Sequence, residues 1–186
     1  MATNTNLHLF ENEFFKKIRE ADAWKLISED ADFPWSESII EKYSDKWDWS
    51  LLGKNSGIGW SAGLIEKFKR LIDWDAFSER GGLYRYQGVK MDDWGILKKF
   101  ESYWNWHKLS ESLENIPVEI IELHADKWDW KELIQNRNIK WSFELFDKFK
   151  HYIPLMDIEN LKNSELWKNL IEIEKLKIAG KILSEV

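Results

Sequence analysis

Apolar residues in this chain recur as an adjacent pair followed three or four places later by another ring or aliphatic side chain. Examples are Ile39-Ile40 with Tyr43, Leu64-Ile65 with Phe68, Ile96-Leu97 with Phe100 and Leu145-Phe146 with Phe149. This spacing marks one face of a helix of about ten residues and not an alternating strand. Aligned on Trp24, Trp49, Trp74, Trp106, Trp130 and Leu155, which lie 25, 25, 32, 24 and 25 residues apart, six copies of one unit emerge. The third residue after each anchor is Ile27, Leu52, Phe77, Leu109, Leu133 or Ile158, apolar in every copy. Ser36, Ser61 and Ser142 stand where they cap the first helix of a unit, and Asp48 and Asp129 where they cap a second, shorter one.

Each unit therefore reads as a long helix, a tight bend, a short helix and a loop, with modules at 10–34, 35–59, 60–91, 92–115, 116–140 and 141–165. The loops at 53–59 and 135–140 carry Gly and Asn, the residues suited to positive φ after a helix. Residues 165–179 read as a terminal helix capped by Ser164. Its Leu166, Leu170, Ile173 and the Lys177 stem form a seam for the last module, leaving Ile171 or Ile178 for self-association through a second chain. A module of this size cannot bury both its faces alone, so neighbours must stack and share a core. The expected fold is all-α, a single solenoid-like domain over 1–186.

The tryptophans follow the same logic. Four of the thirteen lie in one phrase that occurs twice, Asp45-Lys46-Trp47-Asp48-Trp49 and Asp126-Lys127-Trp128-Asp129-Trp130. The anchor rings are expected to be packing joints between modules. Trp47, Trp104 and Trp128, each two residues before an anchor, are the alternative ligand-stacking candidates for a carbohydrate or a single-stranded nucleic acid.

The phrases DKWDWxxL, IxWSxEL and IEKFK resemble the Trp-rich tandem helical repeats of bacterial and giant-virus proteins, most of them uncharacterised. The resemblance covers about residues 10–170 and implies an architecture of stacked aromatic modules. It implies no catalytic residue.

The period breaks once. Between Trp74 and Trp106 an insert at 78–91 holds two of the five arginines and two of the five tyrosines. Insertions in repeat proteins become loops on one face, and Tyr with Arg offers contact area and directional donors, so Arg80, Tyr84, Arg85, Tyr86 and Lys90 are the protein-interface candidates. Leu83-Tyr84-Arg85-Tyr86 reads as a brief strand.

Charge and chemistry narrow the rest. A net charge of −6 opposes phosphate binding as the main task, and Lys42, Lys46, Lys67, Lys69, Lys127, Lys148 and Lys150 sit where they complement helix C-termini. The lack of cysteine excludes disulfides and thiolate chemistry. His8, His107, His124 and His151 lie in different modules with no paired metal-ligand spacing, so no metal or cofactor is expected. No phosphate loop and no nucleophile elbow is present. The N-terminal residues lack the pattern of a secretion signal, and no apolar run approaches bilayer length. The expectation is a cytoplasmic, non-enzymatic protein-binding element, such as an inhibitor, immunity or adaptor protein.

Overall fold

Short helices follow from the capping residues, most of them opening where Ser, Asp or Asn supplies an acceptor to the first turn, while those at 95–99 and 118–123 open after Trp94 and Pro117 without a side-chain cap. The computed structural model describes residues 13–80, 94–114 and 116–185, without the side chain of Arg80. Among the described residues there are twelve helices and no strand. They are α1 (Glu13–Glu29), α2 (Glu37–Lys42), α3 (Trp49–Lys54), α4 (Ala62–Phe68), α5 (Trp74–Arg80) and α6 (Gly95–Lys99), then α7 (Trp106–Ser112), α8 (Val118–Leu123), α9 (Trp130–Leu133), α10 (Phe143–Phe149), α11 (Ile158–Asn163) and α12 (Glu165–Ser184). The chain divides into two compact units, 1–104 and 105–186.

Within each unit the helices recur in pairs, a repeat-like arrangement. Ser36, Ser61 and Ser142 accept from the backbone N–H of Ile39, Leu64 and Leu145, which opens α2, α4 and α10. Asp48, Asp73, Asn105, Asp129 and Asp157 do the same for α3, α5, α7, α9 and α11. Between the paired helices one turn is built five times. Lys46, Leu71, Tyr103, Lys127 and Tyr152 donate their backbone N–H to the carbonyl three residues earlier, at 2.8–2.9 Å.

Three details depart from the sequence-based expectation. First, the paired helices are all short, α2 to α11 spanning four to seven residues, the first of each pair ending at or just before the ring three residues past the apolar pair. Second, residues 13–29 form one uninterrupted helix. Ala23 stands there in the place of the capping Asp48 and Asp22 in the place of Trp47, so nothing stops the first helix or opens another. Third, the short helix expected to begin at Leu155 begins at Ile158. Asp157 caps α11, and Leu161, not Ile158, takes the buried position of Leu52 and Leu133.

The core is a series of joints. The ring of Trp24 packs on Tyr43 and Trp47 at 5.4 and 4.9 Å, that of Trp49 on Phe68 at 5.3 Å, and that of Trp74 on Phe100 and Trp104 at 5.8 and 4.9 Å. In the second unit Trp106 packs on His124 and Trp128 at 5.0 and 4.8 Å, and Trp130 on Phe149 and Tyr152 at 5.2 and 5.1 Å. Each anchor thus covers the apolar face of the pair that follows it. Ile18, which no described anchor precedes, is exposed where Phe68 and Phe149 are buried.

Polar bonds follow the same steps. Ser28 donates to the Trp24 carbonyl at 2.7 Å and accepts from the backbone N–H of Asp48 at 3.1 Å. Ser110 repeats this with Trp106 and Asp129 at 2.7 and 2.9 Å. Asn55 donates to the carbonyls of Ser28 and Asp30, and Asn136 to those of Ser110 and Leu113. Asn55 therefore has a different role from the positive φ expected of it. Asn55 lies at φ −73° and its amide bridges two helix pairs. Gly57, for its part, is required by proximity, since a Cβ there would overlap the carbonyl of Ala31.

Candidate interaction surface

Trp47, Trp104 and Trp128 are only 6%, 5% and 4% exposed. Their rings meet Trp24, Trp74 and Trp106 edge to face, and so little of each is accessible that a sugar or base has no ring face to cover, although the edge of Trp47 borders a groove in the first unit. Two of their indoles have a structural use. Trp47 donates to the Ile40 carbonyl at 3.0 Å and Trp128 to the Ile121 carbonyl at 3.1 Å, both in the last turn of the preceding helix, where carbonyls have no intrahelical partner. Trp49, Trp74 and Trp130 donate to Ser44, Lys69 and Ala125 in the same way, five residues back. The repeated phrase ties off one helix with two indoles while it opens the next with an aspartate.

Among the protein-interface candidates, Tyr84, Arg85, Tyr86 and Lys90, with the expected strand at 83–86, lie outside the described residues, and Arg80 is the last residue of α5.

Most of the lysines near helix ends are paired with carboxylates. Lys67 bonds Glu41 and Glu37 at 2.7 and 3.2 Å, Lys99 pairs with Glu66 at 3.6 Å, and Lys148 with Glu122 at 2.8 Å. In each case the carboxylate belongs to the preceding helix pair. The hydrogen bonds that the Lys67 ammonium donates to Glu41 and Glu37 raise its pKa above the ordinary lysine range. Lys69, Lys127 and Lys150 meet Glu66, Asp126 and Asp147.

Two surface features remain. In the first unit a groove of about 570 Å³ lies between α1 and the α2–α3 turn, with Trp24 in its wall. Lys17, Lys25 and Lys46 face Glu20, Asp45 and Asp48 around it, a balance that favours neither an anion nor a cation. The second feature is the outer edge of the turns, which carries Lys46, Leu71 and Tyr103 in the first unit and Lys127 and Tyr152 in the second, all exposed. Tyr103 and Tyr152 lie beside Trp74 and Trp130 with ring centroids 4.9 and 5.1 Å apart. Their signal in the sequence is the position three after the ring that opens the turn, where the residue type varies between Lys, Leu and Tyr.

One titratable pair is built into the second unit. His107 Nδ1 lies 2.8 Å from Asp129 Oδ2, while Oδ1 of the same carboxylate caps α9. The Asp129 hydrogen bond raises the His107 pKa; slight desolvation opposes it, and the charges of Asp129, Glu132 and Glu111 assist it. Burial works against the Asp129 carboxylate, but His107 and the backbone N–H groups of Glu132 and Lys131 outweigh it and lower its pKa. The stabilisation from protonated His107 is complete below the ordinary imidazole range, about 6.5, and disappears as pH rises through the elevated folded value. An NMR titration is expected to place His107 above that range and Asp129→Asn, which keeps the capping oxygen, to return it there. Identical titrations in the two chains would disprove the coupling.

Among the described residues no group of three or more His, Asp or Glu side chains could hold a metal ion, and no helix is long and apolar enough to cross a membrane. No family model, no curated protein and no solved structure matches the chain.

Proposed function

We propose that the chain is a non-enzymatic protein-binding module, an inhibitor, immunity or adaptor protein of the cytoplasm, built from about six Trp-rich helical modules of the bacterial and giant-virus type. The observation that supports this reading is the use made of the rings and the lysines. Indoles that would stack on sugars or bases are committed to joints and helix ends, and lysines that would follow a phosphate backbone are paired with Glu of the preceding helix pair. What faces outward on each unit is helical and carries exposed side chains of the mixed aromatic and charged kind that suits a protein partner, Leu71 and Tyr103 on the first and Tyr152 on the second.

The insert, with Arg80, Tyr84, Arg85, Tyr86 and Lys90, is the specific contact in this reading. The test is affinity capture from the native cell, with the captured partner then titrated against purified wild type and the Tyr84→Ala/Arg85→Ala chain. A loss of at least about tenfold in affinity with an unchanged circular dichroism spectrum is expected. Equal affinity of the two chains would remove the insert from the interface. Saturable quenching of tryptophan fluorescence by an oligosaccharide or a single-stranded oligonucleotide would replace the protein-binding reading with the alternative.

A further inference from the structure

Helix α12 has two apolar faces and uses one. Leu166 and Leu170 are buried against the rest of the second unit, the Leu166 N–H bonds the Ile134 carbonyl at 3.1 Å, and the Lys177 ammonium lies 4.4 Å from the centre of the Phe143 ring. At 100° per residue, Ile171, Ile178 and Ile182 fall on the opposite side, flanked by Ala179 and Leu183. All five are exposed, Ile178 by 53% and Leu183 by 77%. From Glu174 to Ser184 every residue of the helix is exposed, and Lys177 over Phe143 is the contact this segment makes with the rest of the unit. The outer seam runs through Ile171, Lys175, Ile178 and Ile182, in steps of four, three and four, which is the spacing of a coiled-coil interface.

From this face we propose that a second copy of the chain packs on α12, antiparallel, about a two-fold axis. The charge pattern selects both the occupant and the direction. In a parallel pair Lys175 would face its own copy across the seam, and Glu174 would face Ala179. In the antiparallel pair with Ile171 opposite Ile182, Lys175 lies opposite Ile178, and its ammonium stays with Glu172 of its own helix, where it already bonds at 2.9 Å. The same register sets Glu174 opposite Lys181 twice, once on each side of the axis. Glu174 is held only by an exposed contact to Lys177 at 3.7 Å, which leaves it free to exchange partners. Because Leu166 and Leu170 already anchor the helix, pairing does not have to bear the cost of forming it. None of its residues belongs to the insert, so the variants that test the two proposals differ and each stands or falls by itself.

Sedimentation velocity of the full chain over about 1–300 μM tests it. The 22.4 kDa chain is expected to shift toward twice that mass as concentration rises, and Ile178→Glu to remain at the single mass with unchanged helicity. Glu174→Lys and Lys181→Glu, each alone, are expected to weaken association by about three- to tenfold, and the double exchange to restore it. A single mass at all concentrations would overturn the proposal. So would association indifferent to Ile178→Glu, or a double exchange weaker than either single one.

Discussion

The Trp128→Ala chain is expected to lose about 3–5 kcal/mol of unfolding free energy relative to wild type, measured by urea unfolding followed by far-ultraviolet circular dichroism. Three separate losses add up at this position. The ring is 4% exposed, so truncation leaves a cavity in the second unit and not a gap open to water. It is the edge-to-face partner of Trp106 at 4.8 Å, and hence half of a joint between helix pairs. Its N–H also satisfies the Ile121 carbonyl near the end of α8, which would otherwise be left inside without a donor. Trp128→Phe separates these effects. It keeps most of the apolar volume and the edge contact but no donor, and its expected loss is about 1–2 kcal/mol. A loss below about 1 kcal/mol for the alanine variant would mean that the ring is not part of the joint.

Asn136→Asp is expected to cost about as much, roughly 3–5 kcal/mol at neutral pH, although it replaces one atom type and no volume. Asn136 is 2% exposed, and its amide nitrogen donates to the carbonyls of Ser110 and Leu113 at 3.0 and 2.8 Å. Its oxygen accepts from the N–H of Asn138 at 2.9 Å. The aspartate keeps that last bond but turns a carboxylate oxygen toward two carbonyl oxygens in a site closed to water. Burial and those oxygens both disfavour the charge, so the pKa of the new carboxyl rises in the folded state. The penalty should therefore shrink as pH falls through that raised value, because the protonated acid donates to one carbonyl. Stability of the variant measured against wild type from pH 7 to 4 checks the sign. A penalty that does not change with pH would show that the side chain has left the site.

The positions of the helix starts were legible because they depend on bonds of short range. Ser36, Ser61, Ser142 and Ser164 cap helices as read, as do Asp48 and Asp129, since a side chain reaching an N–H three residues on needs no tertiary context. The apolar pair was legible for a similar reason, and Ile40, Ile65, Leu97 and Ile121 are all nearly inaccessible. What the sequence obscured was every feature decided between neighbouring pairs. Asn55 and Asn136 have the composition of turn residues, and only the stacked carbonyls behind them reveal that their amides are internal ties. The register of the sixth unit was misread because Leu155, an apolar residue at the expected distance, competed with Asp157, whose capping bond decided the outcome. The single helix at 13–29 was legible in principle, since Ala23 lacks the acceptor that opens a second helix. The interface candidates from Tyr84 to Lys90 belong to the segment outside the described residues, and the ring positions proposed for ligand stacking proved to be interior.

The ties between helix pairs, from Asp48 to Ser28 and from Asn55 back to Ser28, join residues only 20 to 27 positions apart, and those around Ser110 and Asn136 match them. Such short reach means that little loop entropy must be spent before the first joint rewards the chain, so folding should be fast and able to begin at any anchor. It also limits the damage a lesion can do. A broken joint weakens chiefly the two helix pairs that share it, and a helix pair can be gained or lost without redesigning the whole of its unit.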